Sequence, residues 1–138
     1  MKQTRNVVLA ASAIWCALIV LAPLYHLEPV YVFFSRICHQ DPTRSWALAG
    51  TPLPVCIRCA AIYLGFSIAV GFAKKPNFDF LTAAIAATLI EFVMARLFLD
   101  SPWLRSATGL VLGAAVAPFV IVGLEEMRTK YGATRGAM

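Results

Sequence analysis

The chain has 138 residues, 60% of them hydrophobic, only 14% charged, with a formal net charge of +5. Soluble domains run near 25% charged, so this surface cannot face water on all sides, and a membrane supplies the missing apolar solvent. The basic balance does not indicate nucleic acid, because no polar face exists to carry a basic patch; the cations are topology anchors.

The length fits one domain over residues 1–138, and the expected fold is all-α, a polytopic bundle of about four transmembrane helices. The first span is residues 7–25, uncharged and following Lys2 and Arg5. At 19 residues it exceeds the usual secretion-signal core of roughly 7–15, and it is read as an uncleaved helix. A longer loop, residues 26–53, comes next. Its apolar run Val30-Tyr31-Val32-Phe33-Phe34 is too short to span, and is expected to lie in the interface or to dip in and return. Pro52 and Pro54 favour an extended approach to the second span, residues 54–73. The third span, 80–99, carries Glu91 and Arg96, and the fourth, 106–124, is uncharged with Pro118 inside. Ala61, Gly65, Ala69 and Ala73 recur every fourth residue on the second span, and Gly109, Gly113 and Ala117 on the fourth. Such spacing lets helix backbones approach closely, and intrachain packing explains it more economically than a homo-oligomer face.

Seven basic residues (Lys2, Arg5, Lys74, Lys75, Arg128, Lys130 and Arg135) fall on one side, against Arg36, Arg44 and Arg105 on the other. The positive-inside bias then puts both termini in the cytoplasm of a cell (inner) membrane and the long loop outside.

The chemistry concentrates in that loop. Cys38 and His39 are adjacent, and Cys56-Ile57-Arg58-Cys59 is a C-x-x-C at the head of the second span. Three thiols and an imidazole make a Cys3His set, a combination typical of zinc. Soft thiolates also suit copper, and an iron–sulfur cluster needs the same four ligands. Adjacent ligands aim awkwardly at one ion, so either Cys38 or His39 can stand behind the other. Haem c attachment is excluded because Ala60, not His, follows the second cysteine. The competing reading is thiol chemistry with Cys56 and Cys59 as catalytic candidates, since helix starts and nearby cations favour thiolates. An outward C-x-x-C on a four-helix protein is similar to quinone-coupled disulfide-forming oxidoreductases. Those have a second outer cysteine pair, however, and the short second outer loop, residues 100–105, has none. A structural disulfide is the third reading. Cys16 reads as packing, and His26 and Gln40 as local hydrogen-bonding residues.

Ionisable groups inside a membrane are costly and tend to be functional. Arg96 is expected near the outer face, where Asp100 four residues on offers a plain partner. Glu91 is expected to face the bundle interior and meet another helix through Tyr63; a neutral carboxyl with a hydrogen-bonded neighbour would account for it without function. Arg44, Arg58, Arg96 and Arg105 are expected to converge outside, against the topology bias, to balance thiolates or bind an anion. No nucleotide-binding glycine motif and no hydrolase triad pattern is present.

Cys38-His39-Gln40, Arg44-Ser45, Gly50, Pro54 to Cys59, Ile62 to Gly65, Arg105, Thr108-Gly109 and Gly113 resemble a bacterial and archaeal membrane family, the domain of unknown function 2085. The resemblance covers about residues 30–115 and implies a membrane location without a reaction. Glu91 stands where the family pattern suggests Asp, and Ala60 where a small hydroxyl residue is common.

Overall fold

The computed structural model describes residues 2–72, 75–97 and 101–135. Ala73, Lys74, Leu99 and Asp100 lie outside that range, and with Asp100 goes the expected Arg96–Asp100 pair. Among the described residues the architecture is all-α with five α-helices, one 3-10 turn (Pro42–Arg44) and one small hairpin: α1 (Lys2–Tyr25), α2 (Glu28–Phe34), β1 (Ala47–Leu48), β2 (Thr51–Pro52), α3 (Ile57–Phe72), α4 (Phe78–Leu97) and α5 (Pro102–Arg135).

Each boundary has a local cause. α1 stops at His26, whose φ of 49° is left-handed. The next amide, of Leu27, then reaches back to Ala22 O at 3.0 Å, the closure that satisfies terminal carbonyls. So His26 ends a helix. α2 starts at once, with proline in its first turn, where a missing N–H costs nothing. The apolar run of residues 30–34 is therefore helical: Phe34 is buried and stacks on Trp15 of α1 at 5.2 Å. The hairpin pairs Ala47 with Pro52 and Leu48 with Thr51. Its turn, Ala49-Gly50, has φ of 51° and 81°, the double positive φ that matches strand twist in two-residue turns. Nothing in the sequence reading foresaw this hairpin. Asn77 Oδ1 accepts the Phe80 amide at 3.1 Å to open α4, and Ser101 Oγ accepts that of Leu104 at 3.5 Å to open α5, as helix N-caps do.

Among the described residues, three helices are long and apolar enough to cross a membrane: α1, α4 and α5 over Pro102–Lys130. α3 has 16 residues, about 24 Å at 1.5 Å per residue, against a hydrocarbon core of about 30 Å. It starts late because Pro52 and the buried Pro54 keep the chain extended to Cys56. The apolar side chains that other proteins hide are turned outward here, among them Ile14, Ile68, Leu89 and Ile90, as lipid requires.

α3 and α5 form the central and most extensive contact, with α1 against α3 and α4 against α5. Glycine makes the central seam possible. A Cβ on Gly65 would run into the Leu110 backbone, and one on Gly113 into the Ile62 carbonyl. One on Gly109 would lie 2.8 Å from Arg58 O and 2.9 Å from the Ala61 Cβ. The small-residue spacing therefore serves intrachain packing, as expected. At one end Arg128 of α5 donates to Gln3 of α1 at 2.6 Å. The first turns of α1 and the last part of α5 thus share an end. Arg105, about 34 Å back along α5 at helical rise, marks the opposite end, where the cysteines lie.

Candidate thiol and arginine site

Two segments deliver the cysteines. Cys38 follows α2, and its amide bonds Phe34 O at 2.8 Å. Cys56 stands just before α3 and its carbonyl accepts the Ala60 amide at 3.0 Å, which makes it the N-cap; Cys59 lies in the first turn. One residue clamps the segments together. Gln40, with φ 50°, donates through Nε2 to Tyr31 O at 2.7 Å and to Pro54 O at 2.8 Å. The Tyr31 hydroxyl donates to Pro52 O at 2.6 Å. Gln40 does form hydrogen bonds, as expected, but to partners 9 and 14 residues away, so its reach is tertiary. Burial holds the Tyr31 hydroxyl above its usual pKa, with the charge of Glu28 adding to it.

The outcome is a cluster. The Sγ atoms of Cys38, Cys56 and Cys59 all lie within 4.8 Å of one another. The Cys56 amide donates to Cys38 Sγ at 3.2 Å. Thiolate–zinc bonds of about 2.3 Å in tetrahedral geometry would set sulfurs about 3.8 Å apart, so an ion needs only a small contraction. His39 is exposed and is not part of this close group, although it lines the same cavity. Tertiary placement thus separates the adjacent Cys38 and His39, and Cys38 takes the inner position. All four cysteines are free thiols. Cys16 contacts Ser67 Oγ at 3.3 Å across the α1–α3 contact, a packing role as expected.

The sulfurs open on a cavity of about 480 Å³. Ile37, Cys38, His39, Cys56 and Cys59 line it. Arg44, Arg58, Arg96 and Arg105 all line it too, so the expected convergence of four arginines occurs at one place. Their partners were only partly legible. Glu91 is buried at 3% exposure and meets another helix, but through arginines. Arg58 Nη2 donates to its Oε2, and Arg105 Nε stands 3.6 Å from its Oε1. Tyr63, the partner expected for Glu91, instead packs beside Trp15, 6.0 Å between rings, and Phe34. The reason is helical phase: Arg58 and Tyr63 are five residues apart on α3, which turns them to different faces. Glu91 thus stands between two guanidiniums.

Two residues of the site escaped the sequence reading. Asp41 accepts from the Thr43 amide and hydroxyl at 3.0 and 2.7 Å and pairs with Arg44 at 3.7 Å. Those two Thr43 bonds, aided by the nearby Arg44 and Arg105 charges, hold its carboxyl below the usual range. The signal was there, because Asp-Pro-Thr-Arg is a turn sequence in which Asp bonds its own backbone two residues on. Phe92 carries Arg58 and Arg96 on its ring, 5.5 and 5.4 Å from the centroid. Its i,i+4 spacing to Arg96 was available as a signal.

The fold and this site define a class: a polytopic helical membrane protein with a thiol cluster and a basic cavity at one end of the bundle. More particularly, the chain belongs to the predicted membrane protein family, domain of unknown function 2085, whose family pattern matches residues 38–119. That span runs from Cys38 past Arg105 and includes every residue that lines the cavity except Ile37. An uncharacterized protein of Methanocaldococcus jannaschii is 30% identical over 109 residues, covering 71% of this chain and 70% of the relative. Another, from Methanothermobacter thermautotrophicus, is 32% identical over 93 residues, covering 61% and 84%. No solved structure matches the chain.

Proposed function

We propose that this protein is a four-span membrane protein that holds a soft metal ion, zinc first and copper second, at the outer face of the cell membrane. Cys38, Cys56 and Cys59 are the ligands. The carrying observation is the convergence of three free thiols, from two separate segments, within 4.8 Å. The amide directed at Cys38 Sγ supports it, since a backbone donor favours a charged sulfur. His39 and Asp41 line the same cavity and would be the candidates to complete the ligand set or to act beside it. Three protein ligands with an open fourth position is the pattern of zinc sites that act on a bound group rather than merely brace a fold.

The orientation rests on the basic residues. Lys2, Arg5, Lys75, Arg128 and Lys130 lie toward the termini or the α3–α4 turn, so the positive-inside bias puts the termini in the cytoplasm and the thiols outside. α3 completes the fourth crossing with the extended residues 54–56 ahead of it.

Metal content per chain checks this. The protein is purified in mild detergent without a metal-affinity step, beside Cys56→Ser, and read by elemental mass spectrometry. Near-stoichiometric metal that disappears in the variant is the expected result; no metal in either sample sinks the reading. One observation favours a second reading, thiol–disulfide exchange, because Cys56 and Cys59 form a C-x-x-C at a helix start with a third thiol in reach. In that case metal content is zero in both samples, and Cys59→Ser, which lacks the second thiol that would release the partner, traps a mixed disulfide through Cys56.

A further inference from the structure

Guanidiniums gather in this cavity. Four guanidiniums line it (Arg44, Arg58, Arg96 and Arg105) against two carboxylates, Asp41 beside Arg44 and Glu91 beside Arg58 and Arg105. Arg58 and Arg96 are both within 5.5 Å of the centroid of the Phe92 ring, so two like charges are gathered on one side chain. Arg58 Nε is buried with no hydrogen-bond acceptor. The accumulation also stands at the bundle end opposite Arg128 and the termini, where the positive-inside bias predicts few cations. Topology therefore does not explain it.

We propose that this cavity binds a phosphate group, seated between Arg96, Arg58 and Arg105 and next to the thiols. Guanidinium forks match phosphate oxygens two at a time. About 480 Å³ is more than a bare phosphate fills, so the group can belong to a larger molecule. Two sources share this chemistry: free phosphate or a phosphomonoester from the aqueous side, and an anionic lipid headgroup from the outer leaflet. The site does not depend on a metal at the thiols, and the experiment therefore uses metal-free protein.

The full chain, treated with chelator in maltoside micelles, is titrated with inorganic phosphate by calorimetry against chloride at matched ionic strength. In parallel, native mass spectrometry compares retention of phosphatidic acid and phosphatidylcholine. Arg96→Gln is the test variant, because Arg96 is exposed and pairs with no carboxylate among the described residues. Arg36→Gln is the control, exposed and outside the cavity. Saturable phosphate binding that weakens about tenfold in Arg96→Gln, as loss of a charge-assisted fork implies, and persists in Arg36→Gln supports the proposal with free phosphate as source. Selective retention of phosphatidic acid, lost in Arg96→Gln alone, supports it with lipid as source. Binding no stronger than chloride together with no lipid selectivity overturns it, as does equal binding in the two variants. Should Arg96→Gln not fold, Arg96→Lys keeps the charge without the fork, and unchanged phosphate and lipid binding in that variant overturns the proposal equally.

Discussion

The α3–α5 seam and the thiol–arginine end are built on opposite terms. In the seam, backbone meets backbone. Gly65, Gly109 and Gly113 leave no room for one carbon more, and almost nothing polar takes part. At the other end the chain leaves a cavity, lines it with arginines and thiols, and buries a carboxylate between two guanidiniums. The two are joined: the Arg58 carbonyl touches the Gly109 position, while its guanidinium reaches Glu91. Tight packing thus fixes the helix from which the site projects, so the cavity's geometry is only as good as the seam.

Breaking the polar end should have the largest effect. Glu91→Gln leaves Arg58 and Arg105 beside a group that cannot balance them, and removal of one partner from a buried ion pair costs about 3–5 kcal/mol. Thermal unfolding in detergent reads this, and a loss under 1 kcal/mol would mean that water or lipid already screens the arginines. The seam comes next. Gly113→Ala should cost about 3 kcal/mol, the upper range for overpacking, because the carbonyl it strikes cannot rotate away. Gly71→Ala on α3 has nothing within 4 Å and should instead stabilise by up to about 1 kcal/mol from helix propensity. Equal effects at the two glycines would erase the distinction between seam and lipid face.

Gln40→Ala sharpens the comparison further. It removes two hydrogen bonds that tie the loop to α2 and to the segment ahead of α3, about 2 kcal/mol at roughly 1 each. Metal retention should fall along with stability if the clamp sets the sulfur spacing. The smallest effect belongs to Asp41. Its folded-state pKa is lowered by its Thr43 bonds, so its contribution is complete at neutral pH and is lost as pH falls through that lowered value. Trp46 stacks on Trp103 at 5.5 Å. Its fluorescence should change below the ordinary carboxylate range, and Asp41→Asn should abolish that step.

The legibility of the molecule follows the range of its interactions. Apolar runs, small residues every fourth position and a C-x-x-C at a helix head are local patterns, and the structure realises each of them: helices, a glycine seam, paired thiols. Partner choice is not local. Glu91 was recognised as interior, but that Arg58 and Arg105 face it depends on the phase of three helices at once. Cys38 and His39 are neighbours that the fold divides, because burial of one at the end of α2 turns the next outward. Gln40 looked like an ordinary loop residue, since nothing nearby in sequence announces partners on Tyr31 and Pro54.

By itself, then, the sequence determined the solvent of this protein, its helical class, its family and the residue types of its site, all of which follow from composition and short spacing. Tertiary structure alone decided which thiols stand together, which arginines meet Glu91, and that α3 begins only after Pro54. Those outcomes depend on contacts between segments far apart in the chain, and only the packed seam, which leaves the helices one arrangement, selects among them.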